Sequence, residues 1–242
     1  MAHGLFHIET PKRISAAEVV MYHVRDLLLQ KKLRPGDKLP SEAEIAQGLG
    51  VSRGSVREAM KILSAFGILE IKVGNGTYIS EEEKPIAMDP LLFSLILFSP
   101  AVKEISEFRL FLELDIIELI ILHKDKNKAQ REALEENVRE LERLRAQKAD
   151  SITLAQNDLA FHRLLGEACS NRLTKRVYDF CLDYLSHSVE ESHRKQENAA
   201  LAYDVHKRIL EAIRSNDLTL AKLAVDDSID IWAKLVDQTV ET

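Results

Sequence analysis

The 242-residue chain is 45% hydrophobic and 30% charged, with 9 Gly, 6 Pro, 2 Cys and a formal net charge of −6. That length is ample for one large or two ordinary packed domains, and high charge with little Gly or Pro excludes collagen-like, low-complexity and disordered chains. Uninterrupted apolar runs such as Leu95 to Phe98 and Leu119 to Leu122 fall far short of the about 20 residues a bilayer demands.

The opening MAHGLFHIETPKR has no basic segment followed by an apolar one, so no secretory signal is expected. Cys169 and Cys181 are too few and too far apart for a CxxC redox pair or a Cys-based zinc site. The expectation is a soluble cytoplasmic protein with no membrane partner. Charge is unevenly spread: residues 1–80 hold 11 Lys+Arg against 8 Asp+Glu, a net +3, leaving −9 for the rest. A basic head on an acidic body permits nucleic-acid binding by the head alone.

Along the chain, residues 16–31 have helical spacing and end near Pro35-Gly36, a turn pair. Ser41 opens S-E-A-E, a capping box in which Glu44 reaches back, and Gly50 stops the helix whose stripe is Ile45, Ala46 and Leu49. Ser52 caps a further helix that runs to about Phe66 before Gly67. The segment ILEIKVGNGTYIS then alternates β-formers around Gly74-Asn75-Gly76, a hairpin signal. Helix, helix, turn, helix, hairpin is a winged helix-turn-helix, assigned to residues 1–80. EEEKPIAMDP, residues 81–90, reads as a linker. After it no strand pattern appears, and about seven helices are predicted at 91–99, 101–123, 127–148, 151–169, 173–193, 198–215 and 218–240. The predicted fold is therefore mainly α: three helices and a β-hairpin joined to an all-α bundle over 91–242.

At about 100° per residue, Val56, Ala59, Leu63 and Phe66 share the core side of the helix that Ser52 opens. Arg53, Arg57 and Lys61 lie opposite, with Gly54. Arginines near a helix N-terminus suit guanine edges in the major groove, while Ser52, Ser55 and the N-terminal N–H groups suit phosphates. Gly74 and Gly76 leave the hairpin tip bare for backbone approach to DNA, with Lys72 supplying charge.

The run LRPGDKLPSEAEIAQGLGVSRGSVREAMKILSAFGILEIKVGNGTYIS resembles the DNA-binding domain of the GntR family of bacterial transcription regulators, through LPSE-x-E-[IL]-A, G-V-S-R-x-[ST]-V-R-E-A and the G-x-G-[TS] wing. The resemblance implies that Arg53 and Arg57 read operator bases, that Gly74 enters the minor groove, and that Ser41 belongs to the DNA-facing set. Many relatives carry Arg where this chain has Ala43, so one contact is missing.

The same periodicity points polar residues into the bundle core. Asp158 and His162 share a face with Leu154, Phe161 and Leu165; His206 is central among Ala202, Ile209, Leu210 and Ile213; Ser228 lies among Ala221, Ala224, Ile231, Trp232 and Leu235; Arg109 lies among Ile105, Leu112, Ile116 and Ile120, with Glu113 one turn on. Buried charge is costly unless paired or metal-bound. Asp158 and His162 can bond to each other, and Arg109 can pair with Glu113 or Asp158. An inward Asp with two His from two helices is also a ligand set for a divalent metal, and suits Zn, Ni, Mn or Fe alike. It equally describes a non-haem iron enzyme, but no general base accompanies it and the winged helix would go unexplained, so no enzyme is expected.

This half resembles the FCD ligand-binding domain of the FadR subfamily of GntR regulators, through R-x-x-x-E at Arg109 and Glu113, D-x-x-F-H at Asp158 to His162, H-x-x-I-x-x-A-I at His206, and A-C-S-N-R-L at 168–173. The resemblance implies a metal held by Asp158, His162 and His206, with Ser228 standing where a fourth His ligand belongs. It further implies a small carboxylate effector clamped by Arg109, an effector-lining role for Glu113 and Ser228, and a role for His193, which with Arg194 matches an H-R pair in some family cavities. A homodimer on a palindromic operator in double-stranded DNA follows from the same likeness. The alternatives are a metal-free pocket, as in the fatty-acyl-CoA-binding branch, and a helical half that only dimerises.

Overall fold

The computed structural model describes residues 14–81, 90–192 and 196–240. Its elements run α1 (Ala16–Leu29), α2 (Glu42–Leu49), α3 (Arg53–Ala65), β1 (Leu69–Lys72), β2 (Gly76–Ile79), α4 (Pro90–Phe98), α5 (Val102–Leu122), α6 (Lys128–Ala146), α7 (Ser151–Ala168), α8 (Arg172–Ser192), α9 (Gln196–Ser215) and α10 (Leu218–Val240). The chain divides into two compact units between Pro90 and Leu91. It is mainly α, with a winged helix-turn-helix followed by an all-helical bundle.

Side-chain caps set the helix starts of the first unit. Ser15 accepts from the Glu18 amide while Glu18 takes the Ser15 amide, and Ser41 and Glu44 repeat this box on α2. Ser52 accepts from the Ser55 amide at the start of α3. Gly50 ends α2 at φ +67°, a left-handed conformation that glycine adopts without Cβ strain. Val20, Val24, Ala46, Val56, Ala59 and Leu63 then meet in one core with Leu69 and Ile79 of the hairpin. Phe66, expected on that core face, is instead the half-buried C-cap of α3.

β1 and β2 are antiparallel, with Leu69 opposite Ile79 and Lys72 opposite Gly76. The stretch after Pro35-Gly36, which in sequence reads only as a turn, docks on the other edge of β2. The Leu39 amide donates to the Thr77 carbonyl and the Ile79 amide to the Asp37 carbonyl, each at 2.8 Å.

In the second unit the helix ends fall within two residues of those the sequence predicts. α5 packs on α10, α6 on α7, α7 on α8 and α9 on α10. Ile116, Ile117, Ile120, Leu134, Phe161, Leu165 and Ile209 form the apolar centre. Asn127, fully buried, donates from Nδ2 to the carbonyls of Ile120 and Ala168, tying the ends of α5 and α7 together. Asn171 accepts from the amides of Leu173 and Thr174 and starts α8. Among the described residues no helix is long and apolar enough to cross a membrane.

Candidate DNA-reading face and metal centre

In the first unit, burial of Val56, Ala59, Met60 and Leu63 turns Arg53, Gly54, Arg57 and Lys61 outward, all four exposed. Arg57 does not hang loose. Its Nε and Nη2 donate to the Glu42 carboxylate of α2 at 2.7 to 3.2 Å, linking the two helices of the turn. That hydrogen bond holds Glu42 below the usual carboxylate range and raises the Arg57 guanidinium. Nothing in the sequence signals the pair, because fifteen residues separate the partners.

The serines have local duties as well. Ser41 Oγ donates to Glu44 at 2.7 Å, and Ser52 Oγ lies 2.8 Å from Ser55 Oγ. At the wing, Gly74 and Gly76 take φ +76° and +121°. Lys38 and Lys72 both place their ammonium over the Tyr78 ring, 5.6 and 4.8 Å from its centre. Lys38 thus joins Lys72 as a wing cation, a position the hairpin pattern could not reveal because it lies outside the hairpin.

In the second unit, α7 and α9 bury their apolar stripes and carry the polar residues of those stripes inward with them. Asp158, His162 and His206 are all buried, and one donor atom from each lies within 4.8 Å of the others. His206 Nε2 is 3.3 Å from Asp158 Oδ1. The Phe161 ring stacks on the His206 imidazole at 3.7 Å and 12°, fixing its plane. His162 Nδ1 lies 2.8 Å from the hydroxyl of Tyr178 on α8, a partner the sequence analysis did not single out. Burial pushes the Tyr178 phenol well up, so it stays a neutral hydroxyl, and burial pushes His162 down despite the nearby carboxylates of Glu113 and Asp158. Burial thus favours the neutral form of His162.

Arg109 is buried on α5 and sends Nε and Nη2 to one oxygen of Glu113, at 3.0 and 2.9 Å. Burial alone would lower its basicity, but the carboxylate of Glu113 outweighs that and keeps it cationic. The guanidinium carbon lies 5.2 Å from the Trp232 ring centre, and Trp232 donates from Nε1 to Ser188 Oγ at 3.0 Å. Glu113 Oε2 is buried without a hydrogen-bond partner. Arg109, Asp158, His162, His206, Ser228 and Trp232 together wall one cavity of about 50 Å³. Glu113 stands behind Arg109 rather than in that wall. His193 lies outside the described residues.

This donor set fits a divalent metal. Ligands held at about 2.1 Å from one ion stand roughly 3.0–3.4 Å apart, and the Asp158–His206 separation of 3.3 Å already meets that. In the tautomer whose Nδ1–H donates to the Tyr178 oxygen, His162 Nε2 presents its lone pair, and the hydroxyl would orient the imidazole toward an ion. Ser228 is half-buried in the cavity wall and supplies at most a neutral hydroxyl. The neighbouring Asp227 cannot take its place: it is exposed and paired with Arg208 at 2.7 Å.

A winged helix with outward arginines and a separate helical unit enclosing a buried polar cavity make this a DNA-binding regulator with a sensing domain. Residues 16–79 match the bacterial regulatory proteins of the gntR family, and residues 104–230 match the FCD domain. The chain is 30% identical over 199 residues to the HTH-type transcriptional regulator LutR of Bacillus subtilis, spanning 80% of this chain and 89% of that protein. It is 26% identical over 211 residues to the HTH-type transcriptional repressor NanR of Cronobacter sakazakii, spanning 85% and 79%. Among solved structures, a GntR protein of Streptococcus agalactiae is similar at 28% identity and a TM-score of 0.62, covering 90% of this chain and 99% of that one. The chain belongs to the GntR family, in its FadR-like subfamily with an FCD domain, and is a DNA-binding transcription regulator rather than an enzyme.

Proposed function

We propose that operator affinity is controlled by a small carboxylate bound in the helical domain beside a divalent metal held by Asp158, His162 and His206. The observation that carries this is the enclosure of those three donors and Arg109 in one small cavity. A metal there would supply a Lewis-acidic anchor for a carboxylate oxygen. Glu113 and Trp232 fix the Arg109 guanidinium, which still has Nη1 to offer, so a bound carboxylate meets a donor already oriented and held cationic. Ser228 leaves a coordination position for water or for the effector itself. A space of about 50 Å³ holds an ion with one or two small groups, which suits the carboxylate head of a small acid.

In the DNA-binding domain, Arg53 and Arg57 read base edges. The N-terminus of α3 with Ser52, Gly54 and Ser55, the start of α2 at Ser41, and the wing at Lys72 and Gly74 grip phosphates and the minor groove. The chain works as a homodimer on a palindrome, since two-fold protein symmetry matches paired half-sites. By likeness to the NanR repressors it represses, and an acid that favours one geometry of the dimer shifts operator affinity.

Fluorescence anisotropy with operator DNA, run with and without Zn²⁺ and a panel of small organic acids, tests the reading. At least one acid should change operator affinity by roughly 5- to 150-fold, the usual span of an allosteric coupling, and His162→Ala should remove the response. An operator affinity that no acid alters, with or without metal, would overturn it.

A further inference from the structure

Arg109 and Leu185 line two cavities. One is the polar cavity of the metal centre. The other is an open, largely apolar groove of about 270 Å³ among α4, α5 and α8, walled by Leu95, Phe98, Ile105, Phe108, Phe180 and Tyr184, with Phe98 and Phe108 exposed. We propose that these form one bipartite effector pocket, and that the effector is a monocarboxylate with a compact apolar tail: its carboxylate lies at Arg109 and the metal centre, its tail in the α4–α5–α8 cavity. This rests on the carboxylate reading given above and narrows its ligand class.

Size argues for the division of labour. The polar cavity accommodates a carboxylate and little else. An apolar hole of about 150 Å³ is enough for benzene, so the second cavity takes a phenyl ring or a chain of around six carbons. Chemistry argues for the nature of the tail. The walls are almost wholly hydrocarbon and aromatic, so the hydroxyls of a sugar acid would be buried there without partners, which is costly. The charged side chains in the combined lining settle its far end. Arg109 belongs to both linings and would take the carboxylate. Glu104, whose carboxylate caps the Ala101 amide at 2.8 Å, stands in the wall of the apolar cavity and repels a second acid group. The Cys181 thiol, in the same wall, is pushed up to about 11 by burial and stays neutral.

Calorimetric titration of the Zn²⁺-supplemented full chain with acetate, hexanoate and adipate tests this. A buried methylene is worth roughly fourfold in affinity, so hexanoate should bind on the order of 100-fold more tightly than acetate, while adipate should bind no better than acetate. Ile105→Trp fills the apolar cavity and should erase the advantage of hexanoate while sparing acetate. Phe108→Trp, a milder change at a half-exposed position, should reduce that advantage and guards against misfolding of the first variant. Equal affinities for acetate and hexanoate, or an unchanged ratio in both folded variants, would overturn the bipartite pocket. A variant that changes the sedimenting mass without changing the ratio would make the groove a contact between copies and overturn it too. Should none of the three acids bind, the bipartite pocket is overturned, while the carboxylate reading stands or falls on the anisotropy panel above.

Discussion

On the proposed reading, the Arg57–Glu42 ion pair prepares a base-reading side chain. Two donors of its guanidinium rest on Glu42, so the side chain is already oriented across the helix-turn-helix before DNA arrives. Both partners are exposed, and the pair itself adds little to stability. Its value lies in geometry. Arg57→Ala should weaken operator binding by about 10-fold or more, the loss expected of one bidentate base contact at ~1–3 kcal/mol, with non-specific binding far less affected; anisotropy against operator and scrambled duplexes would show it. Tyr178 plays the analogous part for His162. Tyr178→Phe keeps the buried ring and deletes only the hydroxyl, so metal affinity should fall roughly 10- to 100-fold with the fold intact, measured by competition with a chromogenic chelator.

At the scale of elements, the sequence was most readable where a local rule sets the outcome. S-x-x-E at Ser41 and the Gly50 stop mark α2, and S-A-A-E at Ser15 adds the same rule to the periodicity that marks α1. The bundle helices were legible because each ends on residues such as Asn171 or Asn216-Asp217 that break the apolar period. The inward direction of Asp158, His162, His206 and Arg109 followed from helical arithmetic, and all four are buried. Who touches whom did not follow, because pairing across helices depends on packing. Glu42 with Arg57, Tyr178 with His162, and the 36–39 segment on β2 are all contacts between residues distant in sequence. The wing illustrates the cost of one such contact. A Cβ at Gly76, at φ +121°, would lie 2.7 Å from Cε of Lys38. Gly76→Ala should therefore destabilise the DNA-binding domain by roughly 1–3 kcal/mol, the usual cost of forcing a non-glycine residue into such backbone, read as a shifted midpoint in urea unfolding.

For the whole molecule, function divides as the charge does. Residues 1–80, net basic, carry the DNA-binding domain, and the acidic helical unit buries a cationic arginine, a carboxylate and two imidazoles around a cavity of about 50 Å³. Such a cluster is expensive to bury unless something satisfies it. His206 Nδ1 and Glu113 Oε2 remain without hydrogen-bond partners in the protein. Retaining these groups in an otherwise apolar core is reasonable for a sensor and wasteful for a mere dimerisation domain. The most direct test is a calorimetric titration of the chelator-stripped chain with Zn²⁺, alongside His162→Ala. The account predicts one equivalent bound per chain and its loss in the variant; no binding, or the same isotherm for both proteins, would contradict it.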